Sequence, residues 1–338
     1  MSSPATDLPG LDLHRLAAHL GTPPLTGELI PGGRSNLTYR VTDGEHRWVL
    51  RRPPLGHVLA TAHDMAREHR VIAALAGTDV PVPGVEHLCE DPDVLGAPFY
   101  LMQEVPGTAL RHRDQCPWLT PDAARALSHR LVDVLADLHA VDPAAVGLAD
   151  FGRPDGFLRR QVTRWGKQLD ASRSRDLPGI DELRARLADT VPDSPRATIV
   201  HGDYRLDNVL VTADPVDISA VLDWEMATLG DPLADLGLLR VYWTGVGLDD
   251  DPVTGTVLGL PGFATADELT ERYAARSGAD VSGLGWYTAF AYFKLAVILE
   301  GIHFRFTTGK TVGAGFDQIG NLTLPLVRQG LAATGGVR

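Results

Sequence analysis

Residues 201–210, HGDYRLDNVL, place a histidine, two aspartates, an arginine and an asparagine in one short polar run that then turns apolar. One explanation is structural, because Asp203, Asp207 and Asn208 have short polar side chains that bond their own backbone in turns between strands. The other is chemical, because a carboxylate and an amide in one loop can orient a hydroxyl group and hold a metal ion. The rest of the chain favours the chemical explanation.

The bulk composition limits the classes of function. The chain has 338 residues, of which 44% are hydrophobic and 22% charged, with a formal net charge of -12. This is the composition of a soluble globular protein with a sizeable core. The acidic balance argues against a nucleic-acid or membrane partner, since both attract clustered lysine and arginine. The sequence does not indicate the oligomeric state.

The sequence also indicates a compartment. The longest apolar run near the C-terminus is interrupted by Lys294 and Glu300, and the N-terminus lacks the pattern of a signal peptide. Cys89 and Cys116 show neither a disulfide framework nor metal-ligand spacing. We therefore expect a cytoplasmic protein.

Strand and helix patterns divide the chain into two predicted lobes. Residues 1–105 read as three strands, one helix and two strands, with Asp43-Gly44 as a hairpin turn and EDPDVLG as the turn between the last two strands. Residues 106–338 read as mainly helical, interrupted by a strand-loop-strand unit around the polar run. Helix starts are predicted at Thr120-Pro121, at Asp231-Pro232 and at the capping box from Thr265 to Glu268. The predicted fold class is α+β, with a nucleotide-binding N-lobe and a C-lobe that carries the catalytic loop, metal site and acceptor-binding helices.

Phosphoryl transfer from ATP requires a phosphate cradle, a fixed cation, metal ligands and a carboxylate that orients the attacking hydroxyl. Arg51, on the third strand, is the candidate cation, and Glu68 on the following helix is spaced to pair with it. The structural alternatives are that Arg51 is a solvated charge on an edge strand and that Glu68 is an acid on the helix surface. The candidate cradle is a turn in which glycine lets backbone amides approach phosphate oxygens; it comprises Gly32, Gly33, Arg34, Ser35 and Asn36.

The segment FYLMQEVPG, which connects the predicted lobes, is the candidate adenine site. Backbone groups of Gln103 and Val105 would bond the base, Met102 would line the pocket, and Leu210 would form its apolar floor. An ordinary apolar strand would look the same, so only the position of the segment favours this interpretation.

The polar run supplies the remaining parts. We expect Asp203 to accept or orient the proton of the substrate hydroxyl, and Arg205 to neutralise charge on the transferred phosphoryl group. Asn208 is the first candidate metal ligand, and Asp223, at the end of an apolar strand, is the second.

Four other polar residues have structural interpretations. His201 is expected to brace the loop backbone, and Asp207 is interpreted as a loop former. Asp231 precedes a proline at a helix start, which predicts a helix cap that supports the catalytic loop. Asp235, one helical turn later, is expected to tie the catalytic loop down.

The residues from His201 to Asn208 (HGDxxxxN), then LDWE at 222–225 and GDPxxDL at 230–236, resemble the aminoglycoside phosphotransferase and choline kinase superfamily. The resemblance covers nearly the whole chain. It implies a protein-kinase-like fold and a kinase that uses ATP or GTP with Mg²⁺. It also implies that Asp203 is the base and that Asn208 and Asp223 are metal ligands. Arg51 departs from the usual lysine, although choline kinases are similar in using arginine there.

More narrowly, VLRRPPLG and CEDPDVLGAPFYLM are similar to the phosphotransferase branch that is fused to acyl-CoA dehydrogenases in animals. This resemblance implies a hydroxy acid or a hydroxyacyl-CoA as acceptor. An antibiotic phosphotransferase, for aminoglycosides or macrolides, is one alternative. A polycationic antibiotic needs acceptor-site carboxylates, yet residues 301–338 contain one acid, Asp317, and four basic residues.

Two alternatives outside the kinase class are also open. A catalytically weak nucleotide-binding regulatory module is motivated by Arg51 alone. A metal-dependent hydrolase would use His201, Asp203 and Asp223, but the chain lacks the further histidine or carboxylate cluster of a two-metal site.

Overall fold

The computed structural model describes residues 8–31, 36–55, 64–194, 196–245, 257–309 and 316–335. Backbone contacts divide the chain into two compact units. The first extends to Gly107 and also contains Ser219–Ala227 from much later in the chain; the second comprises Thr108–Ile218 and the residues from Thr228 onward. Among the described residues, no helix is both long enough and apolar enough to cross a membrane.

The first unit is built on one antiparallel sheet whose strands lie in the order β1-β2-β3-β5-β4. The predicted hairpin at Asp43-Gly44 joins β2 to β3 through a four-residue loop, residues 43–46, in which Gly44 has a positive φ of 97°. The elements are α1 (Leu13–Leu20), β1 (Thr26–Leu29), β2 (Leu37–Thr42), β3 (Arg47–Arg52), α2 (Met65–Leu75), β4 (Val85–Cys89), α3 (Pro92–Leu95) and β5 (Phe99–Gln103).

The predicted single helix of this region is α2, and the structure adds α1 and the one-turn α3. Helix α1 begins at the N-cap Asp12, whose side chain accepts a hydrogen bond from the Arg15 amide, and ends at Gly21 in the left-handed conformation. Helix α3 replaces the turn expected in EDPDVLG, because Asp91 caps it and Pro92 occupies its first turn. Both helices pack at the sheet, where Leu16 and Phe99 are fully buried.

The second unit is mainly helical and contains two short antiparallel pairs, β6 with β9 and β7 with β8. Strand β8 starts in this unit and ends in the first one. The elements are α4 (Pro121–Ala140), α5 (Phe157–Ser172), α6 (Ile180–Asp189), β6 (Thr198–Val200), β7 (Val209–Ala213), β8 (Val216–Val221), β9 (Thr228–Gly230), α7 (Pro232–Thr244), α8 (Ala266–Ser277), α9 (Leu284–Thr307), α10 (Phe316–Ile319) and α11 (Thr323–Thr334).

The predicted start signals of the second unit are present in the structure. Thr120 caps α4, Asp231 caps α7, and Thr265 with Glu268 forms a capping box on α8. Helix α9 is the longest and is buried along most of its length. It approaches α7 so closely that a Cβ atom at Gly237 would lie 2.7 Å from the backbone carbonyl carbon of Tyr287. The two helices that position the polar run are therefore held at a distance that only glycine permits.

Candidate active site

The run 201–208 forms a tight loop between β6 and β7, which we call the Asp203 loop. Gly202 has a φ of 82°, and Leu206–Asn208 forms a single 3₁₀ turn that leads into β7. Strand β6 is fully buried, so the start of the loop is anchored in the core of the second unit. The sequence folds this way because glycine permits the positive φ and short polar residues satisfy the loop backbone.

The Asp203 carboxylate is held through both of its oxygens. The Tyr242 hydroxyl donates to Oδ1 at 2.7 Å, and the Asn208 amide nitrogen donates to Oδ2 at 3.0 Å. The same Asn208 nitrogen donates to the Asp203 carbonyl at 2.8 Å. Because 22% of the Asp203 side chain remains exposed, the carboxylate is fixed in orientation and still accessible.

Arg205 lies beside this carboxylate. Its Nε atom is 3.6 Å from Asp203 Oδ2, and its guanidinium stacks over the Tyr242 ring at 4.8 Å from the centroid. Asp207 contacts Arg111 at 3.3 Å and Arg205 at 3.8 Å. Asp207 is therefore an ion-pair partner of two arginines as well as part of the loop.

Asp235, on the first turn of α7, binds the first two residues of the Asp203 loop. Its carboxylate accepts hydrogen bonds from the amides of His201 at 2.6 Å and Gly202 at 2.8 Å, and lies 3.3 Å from His139 Nε2. Burial alone would raise the pKa of Asp235, but the hydrogen bond and charge of His139, with the Gly202 amide, outweigh it and lower the pKa. The His139 Nδ1 atom lies 2.7 Å from the Tyr273 hydroxyl.

The other two residues predicted to support the loop are His201 and Asp231, and only the first contacts the loop backbone among the described residues. His201 Nδ1 accepts a hydrogen bond from the Asp203 amide at 3.2 Å. Among the described residues, Asp231 has no hydrogen bond to the Asp203 loop. It accepts one hydrogen bond from the Leu233 amide at 2.9 Å and one from the Tyr287 hydroxyl at 2.8 Å. Asp231 therefore fixes α7 against α9.

Lys294, in the middle of α9, was not predicted as a site residue. Its ammonium donates to the Gly202 carbonyl at 2.6 Å and lies over the Trp165 ring at 5.6 Å. Burial lowers the pKa of Lys294, and the negative charges of Asp203 and Asp235 offset part of that effect. The sequence signal was a single lysine inside an apolar helix, which is rarely buried without a partner.

In the first unit, Arg51 joins two of the predicted acids into one group, the Arg51 cluster. Its Nη2 atom is 3.1 Å from Glu68 Oε1 and 3.0 Å from Asp223 Oδ1. Burial alone would lower the pKa of Arg51, but the charges of Glu68 and Asp223 outweigh it and raise the pKa. Burial raises the pKa of Glu68, and Arg51 offsets part of that shift.

Asp223 has an unusual backbone. With a φ of 66°, it is the non-glycine residue in the left-handed region within the described part of the chain. Such strain persists where surrounding contacts hold it, and it is concentrated at functional sites. The Asp223 side chain remains 33% exposed, so it projects to solvent from the end of β8 while one oxygen binds Arg51.

The structure describes part of the predicted nucleotide site. Residues 32–35 of the cradle lie outside the described residues, whereas Asn36 is buried and donates to Glu225 Oε2 at 3.3 Å. Met102 is buried in β5, and Val105 is half-buried. The Gln103 amide already donates to the Gly84 carbonyl at 2.7 Å, so this N–H group is engaged within the fold. In the second unit, Leu210 is half-buried on β7.

Comparison with known proteins supplies the family. A family model described as the phosphotransferase enzyme family matches residues 26–269. Acyl-CoA dehydrogenase family member 10 of Mus musculus is 38% identical over 299 residues, which cover 86% of this chain and 27% of the relative. The chain therefore spans about a quarter of that relative's length.

Solved structures extend the likeness to the fold. A Ralstonia eutropha protein, provisionally named as an aminoglycoside phosphotransferase, is 32% identical, with a TM-score of 0.82 over 96% of this chain and 98% of its own. A thermostable mutant of aminoglycoside phosphotransferase APH(4)-Ia, in ternary complex with AMP-PNP and hygromycin B, has a TM-score of 0.63 at 15% identity, covering 96% of this chain and 98% of its own. These structures confirm the predicted protein-kinase-like α+β fold.

The family match covers most of the chain, including the Asp203 loop and the Arg51 cluster. The chain therefore belongs to the phosphotransferase enzyme family, whose members transfer phosphate to hydroxyl groups of small molecules.

Proposed function

We propose that the protein is a kinase that transfers the γ-phosphoryl group of ATP or GTP to the hydroxyl of a hydroxy acid or hydroxyacyl-CoA. The observation that carries the proposal is the Asp203 carboxylate, which is accessible and held at both oxygens by Tyr242 and Asn208. A base must be fixed within hydrogen-bond reach of the hydroxyl it activates, and this carboxylate is fixed before any substrate arrives.

The residues of the Asp203 loop divide the chemistry among themselves. Asp203 accepts the proton of the acceptor hydroxyl as the new bond forms between that oxygen and the γ-phosphorus and the bond to the leaving diphosphate breaks. Arg205 is close enough to the carboxylate to stabilise negative charge on the transferred group. Asp235 accepts a hydrogen bond from the Gly202 amide and Lys294 donates one to the Gly202 carbonyl, so both side chains fix the loop backbone.

The oxygen donors fit Mg²⁺. The Asn208 hydrogen bonds to Asp203 both use its amide nitrogen, which directs its carbonyl oxygen elsewhere. Asp223 presents a partly exposed carboxylate from a strained backbone. Hard oxygen ligands of this type are those that Mg²⁺ prefers, and the ion supplies neutralisation of phosphate charge when bound. We assign Asn208 and Asp223 as its protein ligands.

The Arg51 cluster supports nucleotide binding. Glu68 holds the Arg51 guanidinium in one orientation, as the buried glutamate of a kinase holds the phosphate-binding cation. Arginine presents a planar fork to phosphate oxygens, whereas lysine presents a point charge. The structural neighbour solved in complex with AMP-PNP has the same fold, which is consistent with this assignment.

The surface beside the loop favours an anionic or apolar acceptor. A narrow pocket there, of about 10 Å³, is lined by Leu239, Tyr242, Trp243 and Leu258 together with Arg205 and Asp207. The one carboxylate in this lining, Asp207, is already paired with arginine. The kinship with acyl-CoA dehydrogenase family members points in the same direction.

An antibiotic acceptor is the second candidate, because the Ralstonia structure carries an aminoglycoside phosphotransferase name. Carboxylates would have to pair the ammonium groups of such an acceptor. Glu300, on α9 immediately before the acid-poor residues 301–338, is fully buried and bound to Arg175 at 2.8 Å. This carboxylate is therefore committed to the protein, which disfavours the polycationic acceptor.

The test is Mg²⁺-dependent consumption of ATP and GTP against hydroxy acids, hydroxyacyl-CoAs, aminoglycosides and macrolides. Asp203→Asn is expected to lower kcat by about 10²–10⁴-fold while nucleotide affinity stays within a few-fold. Asp267→Asn is the control, since it makes the same change at a carboxylate that is 84% exposed and lies outside the Asp203 loop and the pocket.

Each outcome has a distinct meaning. A hydroxy acid or hydroxyacyl-CoA that is phosphorylated only with intact Asp203 supports the whole proposal. An aminoglycoside or macrolide as the sole acceptor overturns the acceptor class. Nucleotide binding without turnover on any acceptor in the panel favours the regulatory module, and full activity in Asp203→Asn refutes the assignment of the base.

A further inference from the structure

Three side chains that can ligate a metal ion meet in the first unit. His87 and Cys89 are two residues apart on β4, which places both side chains on one face of the strand. His19 lies in the last turn of α1. The fold brings His19 within reach of His87 although 68 residues separate them in the chain.

The donor atoms of this cluster are close together. The Nε2 atoms of His19 and His87 are 2.9 Å apart, and the nitrogen and sulfur donors of all three residues lie within 4.8 Å of one another. A tetrahedral zinc ion with ordinary Zn–N and Zn–S bonds would place its ligand atoms about 3.3–3.6 Å apart. The histidine nitrogens are closer than this range and the separations from Cys89 Sγ are at most 4.8 Å, so side-chain rotations have to bring the three donors to tetrahedral distances.

The surroundings suit a metal site with one open position. Cys89 is buried, with 4% of its surface exposed, and His87 is half-buried, whereas His19 is exposed. The Phe99 ring packs edge-on against His19 and tilted against His87, and it orients both imidazoles from the protein side. The exposed side therefore admits a cation and leaves room for a water ligand.

The donor set selects the class of metal. Two imidazole nitrogens and one thiolate sulfur are ligands for borderline metal ions, and Ca²⁺ and Mg²⁺ prefer oxygen. Within the described part of the chain, the two histidines form one hydrogen bond with each other, and the Cys89 thiol donates to the Asp91 carbonyl at 3.6 Å.

We propose that His19, His87 and Cys89 bind one Zn²⁺ ion, which clamps helix α1 to the edge strand β4. Binding deprotonates the thiol and forms two Zn–N bonds and one Zn–S bond, with water as the fourth ligand. The ion cross-links the start of the first unit to its sheet, and it does not use any residue of the Asp203 loop or the Arg51 cluster. The proposal is independent of the phosphoryl acceptor.

The test uses the full-length, metal-free protein with Co²⁺ as a spectroscopic probe and Zn²⁺ as its competitor. We expect one equivalent of Co²⁺ to produce thiolate-to-metal charge-transfer absorption and the d–d bands of a tetrahedral site, and Zn²⁺ to abolish both. Excess Zn²⁺ is expected to raise the midpoint of thermal unfolding, because a ligand that binds only the folded state stabilises it.

The variants separate this site from adventitious binding. His19→Ala is the principal variant, because the residue is exposed and its loss leaves the core intact. It is expected to weaken Co²⁺ binding by at least about 10-fold, since even the loss of a group that only hydrogen-bonds to a metal ligand costs about 10–100-fold. Cys89→Ser is expected to remove the charge-transfer absorption.

Two controls match these variants. His14→Ala alters an exposed histidine on the same helix, and Cys116→Ser alters the other free cysteine. Both are expected to retain Co²⁺ binding and its spectrum. Equal Co²⁺ affinity in His19→Ala and the wild type, loss of the band in Cys116→Ser, or absence of a thiolate band in the wild type would each overturn the proposal.

Discussion

Asp235→Asn tests how much the hydrogen bonds between Asp235 and the start of the Asp203 loop contribute to the stability of the fold. Each carboxylate oxygen accepts one backbone N–H, at 2.6 and 2.8 Å. Asparagine has a single acceptor oxygen, so in either orientation its NH₂ group faces an N–H donor. The change removes one charge-assisted hydrogen bond, which contributes about 1.5–3 kcal/mol, and leaves a buried donor unpaired at a further cost of about 1–3 kcal/mol. Together these effects predict a loss of about 3–5 kcal/mol.

Thermal unfolding measures this loss. For a unit of this size, each kcal/mol lowers the midpoint by about 2–4 °C, so the variant is expected to melt at least about 6 °C below the wild type. Asp267→Asn is the control, because its side chain is 84% exposed and its pair with Arg240 contributes at most about 1 kcal/mol. A midpoint for Asp235→Asn that matches the control would refute the reasoning.

The same carboxylate predicts a pH dependence. The pKa of Asp235 is lower in the folded protein than its ordinary value of 3.8, so the unfolded chain takes up the proton first as the pH falls. Its contribution to stability is complete above pH 3.8 and is lost as the pH falls toward the folded pKa. Between about pH 5 and pH 3, the midpoint of thermal unfolding should therefore fall more steeply with decreasing pH for the wild type than for Asp235→Asn.

Tyr242→Phe removes a 2.7 Å hydrogen bond to Asp203, the proposed base, and is expected to lower kcat by about 10–100-fold in steady-state assays, with the fold retained; unchanged kcat would mean that the bond does not orient the Asp203 carboxylate. Gly237→Ala places a methyl group against the backbone of the facing helix and is expected to cost at least about 1–3 kcal/mol in urea unfolding. Gly283→Ala, where the space is open, should be near neutral, and equal effects at both glycines would contradict the packing argument. Arg51→Met leaves Glu68 buried without its cation and is expected to cost about 3–5 kcal/mol, while adding Glu68→Gln should recover much of the loss; a double variant no more stable than Arg51→Met would argue against a coupled pair.

Local signals in the sequence predicted much of the fold. The Asp43-Gly44 hairpin and the starts of α4, α7 and α8 each depend on a few neighbouring residues, so their caps and turns are readable in order along the chain. Helix α1 has the same kind of local signal, an N-cap at Asp12 and a glycine at Gly21, so its ends are also readable from the sequence. The assignment of catalytic and ligand roles stays a prediction.

Contacts between distant segments could not be predicted in this way. Lys294 lies 92 residues after the carbonyl that it binds, and its position in the sequence shows only a lysine within an apolar helix. The cysteines lack metal-ligand spacing because the proposed site draws His19 from a separate helix, 68 residues before His87. Both groups depend on helix packing, which periodicity along one segment does not encode.

The bond from Lys294 to the Gly202 carbonyl also bears on synthesis of the protein. A ribosome adding about 5–20 residues per second releases the Asp203 loop several seconds before the middle of α9 follows. During that interval the loop has its aspartate and arginine but lacks the lysine, 92 residues downstream, that binds its backbone. A nascent chain halted before α9 should therefore be inactive even with the whole sequence motif already made, and activity should appear only once the last long helix has been translated.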